Sequence, residues 1–132
     1  MIRVRNLTRE TYLITRGRLA DTFLSRLLGL MGRRSLAPGE GLVIVPSKGV
    51  HTWWMRFPID VVYVDAAWRV IDIDEDLRPW RFGRIRGKAH AVIEVPAGTV
   101  ASTRTRVGDV LALERVRTPQ VHGEPPGEAE AP

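Results

Sequence analysis

His51, Trp53, Trp54, Met55, Arg56 and Asp60 crowd into one stretch of the chain, and these are the residue types from which a site could be built. A histidine changes charge near neutral pH, so His51, oriented by a nearby Asp60, has the makings of a general base. Trp53 and Trp54 are adjacent, and on a strand adjacent side chains point to opposite faces. One indole should therefore be at least partly exposed beside His51 and Arg56. That patch would be a stacking platform for a sugar, an aromatic ligand or an apolar side chain of a partner. A second acid, Glu94, also sits within an apolar run, and two carboxylates can divide acid and base roles when their surroundings push their pKa values apart. The competing reading is structural: a buried carboxylate normally has a cationic or backbone partner. Arg26, beside the apolar stripe of a helix, is the candidate to satisfy Asp60 or Glu94, and Asp109 is a third candidate structural acid.

Other chemistries lack their residues. The chain has no cysteine, which removes disulfides and thiolate nucleophiles together. Its three histidines, His51, His90 and His122, have no HExxH or paired spacing, and zinc or iron needs three or four convergent donors, so no metal site is expected. No GxSxG elbow surrounds Ser25, Ser35, Ser47 or Ser102. Gly98 and Gly108 lie outside any GxGxxG or phosphate-loop context and read as turn glycines, so no cofactor is implied.

These residues must be held by a scaffold of 132 residues, enough for one domain with its own core. With 44% hydrophobic and 27% charged residues the composition is that of an ordinary globular protein. No apolar run reaches the roughly 18 residues of a membrane span, and Met1 to Asn6 alternates rather than forming a signal-peptide core, which leads us to expect a cytoplasmic protein. The net charge is +5, and +8 once the three tail acids Glu124, Glu128 and Glu130 are set aside. All but Lys48 and Lys88 of the basic residues are arginines, scattered and interrupted by Asp72, Asp74, Glu75 and Asp76. A phosphate-binding surface is clustered and of one sign, so the pattern argues against nucleic acid as the partner.

Ile2 to Asn6 and Tyr12 to Ile14 alternate as a hairpin does, placed here as an edge of the sheet. From Asp21 or Thr22, either a plausible N-cap, the period changes: Leu24, Leu27, Leu28 and Met31 form one helical stripe ended by Gly32. Leu42 to Val45 is a short buried strand. Strands follow at His51 to Met55, Ile59 to Val64 and Arg69 to Leu77, the last with one wet face. An aperiodic loop covers Arg78 to Lys88. The next strand, Ala89 to Val95, places His90, Val92 and Glu94 on one face and Ala91, Ile93 and Val95 on the other. A turn or short helix at Thr99 to Thr105 leads to a final strand, Val110 to Val116. Residues 118–132 are too poor in apolar area to offset the entropy of ordering them and are expected to form a disordered tail beyond a domain of residues 1–117.

Several ordered motifs, Arg26, Gly29-Leu30-Met31, Gly41-Leu42, His51-Thr52-Trp53-Trp54-Met55, Pro58-Ile59-Asp60, Val92 to Gly98 and Val107-Gly108-Asp109, are similar to those of the DUF192 family of small, uncharacterised, mostly bacterial and archaeal proteins. The resemblance spans roughly residues 8 to 114. It implies a compact barrel-like β domain with one or two short helices and no established activity. The chain departs from that family in having Leu42 where methionine is common, and the alternating Met1 to Asn6 leads us to expect none of the export signal that many members carry.

The expected fold is α+β and mainly β, a compact barrel-like antiparallel sheet with one or two short helices. The expected function is a non-enzymatic binding or accessory module for a small molecule or protein, working through the His51 to Asp60 surface as a monomer or weak homodimer. A small hydrolase-like enzyme using His51 with Asp60 or Glu94 is the alternative, and a basic RNA-associated protein a third. The helical stripe yields one direct test: Leu27→Ala should cost about 2–5 kcal/mol in a denaturant titration. A loss under about 0.5 kcal/mol would place Leu27 at the surface and sink the helix.

Overall fold

The computed structural model describes residues 1–22, 25–26, 30, 33–49, 55–81 and 85–116. Seven strands, β1 (Ile2–Asn6), β2 (Thr11–Ala20), β3 (Glu40–Ile44), β4 (Ile59–Val64), β5 (Val70–Leu77), β6 (Ala91–Pro96) and β7 (Leu111–Arg115), and one short helix, α1 (Thr99–Thr103), form its regular structure. The strands make one sheet in the order β5-β4-β6-β3-β2-β1-β7, curled into a half-barrel.

All pairings are antiparallel except β2 with β3. That exception follows from the chain between them: residues 21–39 are long enough to carry the chain back and start β3 in the direction of β2, which a tight hairpin cannot do. The β1–β2 hairpin forms as read, but it is not an edge. β7 pairs along the whole of β1, from Ile2 opposite Arg115 to Asn6 opposite Leu111, so the outer hydrogen bonds of the hairpin are taken by the C-terminal strand.

One apolar cluster draws side chains from all seven strands and from Val100 of α1; its side of the sheet is called the inner face. A second cluster lies on the opposite, outer face of β3, β4 and β6, where Leu30, Leu36, Met55 and Ala89 cover it. The central strands are therefore buried on both sides, and all six residues of β4 are buried. Ile14 sits against Gly17 and Gly41, which face each other in the β2–β3 ladder. A Cβ on Gly41 would meet Ile14 Cδ1 at 2.5 Å and the Glu94 carbonyl oxygen at 2.8 Å, so only glycine permits this approach.

β2 continues to Ala20, and the turn of chain after it begins at Thr22, one of the two caps anticipated. Thr22 Oγ1 accepts from the Ser25 amide at 3.1 Å while Ser25 Oγ accepts from the Thr22 amide at 3.0 Å, a reciprocal capping box. The stripe residues Leu24, Leu27, Leu28 and Met31 lie outside the described residues, as do the C-terminal residues 117–132.

Asp60 pins three elements together. Glu75 and Asp76 form a bulge opposite it, between the pairs Ile59–Leu77 and Val61–Asp74, and the Asp76 amide, freed from the ladder, donates to Asp60 Oδ1 at 2.9 Å. Oδ2 accepts from the amides of Gly98 at 3.0 Å and Val100 at 2.9 Å, at the start of α1. Gly98 enters that turn with φ 97°, a conformation glycine adopts without cost. Asp60→Ala would leave these donors without their acceptor in a site 1% exposed, and a loss of about 3–5 kcal/mol is expected in urea unfolding. A loss below about 1 kcal/mol would mean that water replaces the carboxylate freely.

Candidate functional site

Strand register lays the outer face out as rows. Arg18, Leu42, Glu94, Val61 and Asp74 follow one another across β2, β3, β6, β4 and β5. The neighbouring row is Ala20, Ile44, Val92, Tyr63 and Asp72. Met55 lies over this region, 3% exposed within the outer cluster, and it is the first described residue after the stretch that holds His51, Trp53 and Trp54. Those three lie outside the described residues. Arg56 beyond Met55 is exposed and Phe57 is half-buried against the cluster.

Glu94 is the unusual member of the face. It stands between Leu42 and Val61, 3% exposed, and no hydrogen bond or ion pair reaches its carboxyl among the described residues. Burial without a compensating charge raises its pKa from the ordinary 4.5 to about 8, so at neutral pH it is predominantly a protonated acid. Asp60 pairs with Val95 and belongs to the inner face. The two carboxyls that sequence spacing made candidates for an acid–base pair therefore lie on opposite sides of the sheet.

Two strands along, the edge of the outer face carries a polar network. Tyr63 donates its hydroxyl to Asp74 at 2.7 Å. The Arg86 guanidinium stacks over the Tyr63 ring, 4.1 Å from its centre, and donates to Asp72 at 2.8 Å and Asp74 at 3.0 Å. Burial and then the Asp74 hydrogen bond hold the Tyr63 hydroxyl well above its usual pKa, so it stays a donor. This network ties the loop after β5 to the sheet. The alternation of Asp72 and Asp74 showed a wet face, but nothing in an aperiodic loop marked Arg86 as the residue that meets them.

Arg26 does not neutralise either candidate acid. Its Nη1 donates to the Asp21 carbonyl at 3.0 Å, while Asp60 is occupied by amides. Asp109 holds the turn that leads into β7: its Oδ2 accepts from Asn6 at 3.0 Å, from Arg9 at 3.1 Å and from the Arg106 amide at 2.9 Å. Burial alone would raise the Asp109 pKa, but these donors bring it below the usual value. Among the described residues no three histidine or acidic side chains converge as metal ligands would, and no helix is long and apolar enough to cross a membrane.

A seven-stranded half-barrel with one short helix and central strands covered on both faces defines the fold as a small, β-rich one. The chain belongs to the DUF192 family, described as uncharacterized ACR, whose profile matches residues 5–113. It is 36% identical over 100 residues to a UPF0127 protein of Pyrococcus horikoshii, covering 71% of this chain and 84% of that one. It is 32% identical over 117 residues to the UPF0127 protein of Pyrococcus furiosus, covering 84% and 97%. Of the Thermococcus sibiricus relative, 34% identical over 107 residues, the match covers 75% of this chain and 66% of that protein. Two crystal structures share the fold at 24% identity. A Novosphingobium aromaticivorans protein of unknown function has TM-score 0.73, over 84% of this chain and 82% of its own. A Sinorhizobium meliloti protein whose name proposes transcription regulation has TM-score 0.67, over 84% and 90%.

Glu94 makes a pH-dependent prediction. Its folded-state pKa is raised, so between about 4.5 and 8 the unfolded chain has lost a proton that the folded chain keeps. Rising pH therefore destabilises the fold across that window, by up to about 5 kcal/mol on a scale of roughly 1.4 kcal/mol per pKa unit, and no further above it. Urea unfolding of wild type and Glu94→Gln from pH 5 to 9 should show the wild type losing stability relative to the variant as pH rises. Parallel curves would mean that Glu94 is ionised or solvated in the folded state.

Proposed function

We propose that this protein is a non-enzymatic binding or accessory module that takes a small molecule or protein partner on the surface of the His51 to Asp60 stretch, with His51, Trp53, Trp54 and Arg56 as its candidate contacts and the buried Met55 and Asp60 as its anchors. The observation that carries the reading is the anchoring of this segment's C-terminal half at two points. Met55 is rooted in the outer cluster and Asp60 is tied by three amides to β5 and α1, while Arg56 is exposed and Phe57 half-buried between them. A short segment held at fixed points presents its remaining side chains with little further ordering cost, as recognition surfaces built on rigid scaffolds do.

The occupancy of Asp60 weighs against the hydrolase alternative. A carboxylate that already accepts three amide hydrogen bonds and is almost wholly buried is poorly placed to take a proton from His51 or substrate. Glu94, on the other face of the sheet, cannot act beside Asp60. For the RNA alternative, Arg9, Arg33, Arg78 and Arg86 are engaged with acids, which removes them from a continuous basic stripe.

The test separates function from stability at Trp53 and Trp54. Trp80 is 51% exposed and would dominate quenching, so the measurement uses a Trp80→Phe background. Iodide should quench one indole of the pair. Replacing that tryptophan by alanine should cost no more than about 1 kcal/mol, and replacing the other about 3–5 kcal/mol. If both alanine variants unfold early and neither indole is quenched, both rings are core and the binding surface is lost.

A further inference from the structure

A pocket of about 340 Å³ opens at the margin of the outer face, lined by Met1, Arg16, Gly17, Arg18, Arg33, Glu40 and Gly41. Its size lies in the range of about 300–1,000 Å³ typical of small-molecule sites. Arg16 and Arg18 are alternate residues of β2, so both project from the outer face, about 7 Å apart along the strand. Arg33 enters from the chain that leads to β3. Glu40, opposite Arg16 in the ladder, is the only acid lining the pocket. Three guanidiniums against one carboxylate give the lining side chains a net charge of +2.

Glu40 is already committed. Its Oε1 accepts from the Ala37 amide at 2.9 Å and from Arg33 at 3.1 Å, and its Oε2 is 4.0 Å from Arg16 Nε. The Ala37 amide lowers its pKa most, burial opposes this, and Arg33 lowers it again, so it remains an anion that braces Arg33 rather than a further ligand. Arg16 is held loosely, and among the described residues no acid pairs with Arg18. Arg18 thus faces a concave site with no acid beside it among the described residues, and Arg16 with only the 4.0 Å contact to Glu40; planar guanidinium forks match carboxylate and phosphate oxygens.

We propose that this pocket binds the carboxylate or phosphate group of a small organic anion, with Arg18 and Arg16 as the direct contacts and Glu40 positioning Arg33 at the wall. None of the residues lining this pocket belongs to the His51 to Asp60 stretch, and the proposal does not depend on that reading.

The experiment is a ¹H–¹⁵N NMR titration at constant ionic strength, with inorganic phosphate and, separately, acetate as probes. Saturable shifts at the Gly17 and Gly41 amides are expected. Arg18→Gln should weaken them at least fivefold and Arg16→Gln likewise, while Arg69→Gln, on the far side of the sheet, should leave them unchanged. Circular dichroism checks that each variant is folded, and either glutamine variant suffices if the other is not. Saturation by phosphate alone assigns phosphate esters, and by acetate alone carboxylates; both support the site. The proposal fails if neither probe saturates or if Arg69→Gln weakens binding as much as Arg18→Gln. It also fails if a single-stranded RNA oligonucleotide shifts the same amides and loses affinity equally in all three variants, since that would be diffuse attraction to a polyanion.

Discussion

A strand covered on both faces has no water to offer a polar side chain, and β4 and β6 are such strands. Every polar group on them must be satisfied by the protein or give up its charge. Three solutions stand side by side. Asp60 is satisfied by amides from a bulge and a helix start. Tyr63, at the rim, donates a hydrogen bond to Asp74 and lies under Arg86. Glu94 has neither option and keeps its own proton. The β5 bulge, the placement of α1 and the docking of the loop after β5 can each be traced to one of these.

The cost of Glu94 makes it the feature least explained by stability. A glutamine or leucine would fill the same space without a titrating group, and burying an acid that has no partner opposes folding increasingly as pH rises. By contrast, Asp109, just before β7, is an acid whose donors more than compensate its burial. The contrast separates an acid that holds the fold from one that the fold tolerates.

Much of the scaffold could be read from the chain because local pattern determines it. Ile59 to Val64 is apolar on both faces and is bounded by a proline and a turn, and β4 occupies those residues. The short helix after Gly98 and the final strand were likewise marked by turn residues on either side. What could not be read depends on pairing between distant segments. Whether Asp60 and Glu94 share a face is decided by the β4–β6 register, since a shift of one residue would reverse it. That β1 is interior rather than an edge depends on β7, more than a hundred residues later. The arginine pocket escaped notice for the same reason: Arg16 and Arg18 lie in an alternating strand, and only the parallel partner β3 brings Glu40 and Gly41 beside them.

The two strands that end the sheet meet only at their first residues, where Arg69 bridges Val110 and the Val70 amide reaches the Asp109 carbonyl. Beyond that contact β5 and β7 diverge, and a half-barrel open in this way presents backbone edges to other chains. The danger is strand-to-strand aggregation, and the composition of the edges opposes it. Glu75 and Asp76 stand exposed on β5 at a bulge that spoils regular pairing, and Glu114 with Arg115 places charge on β7. An incoming strand would have to desolvate these charges and straighten the bulge, so the open barrel resists filament growth without having to close.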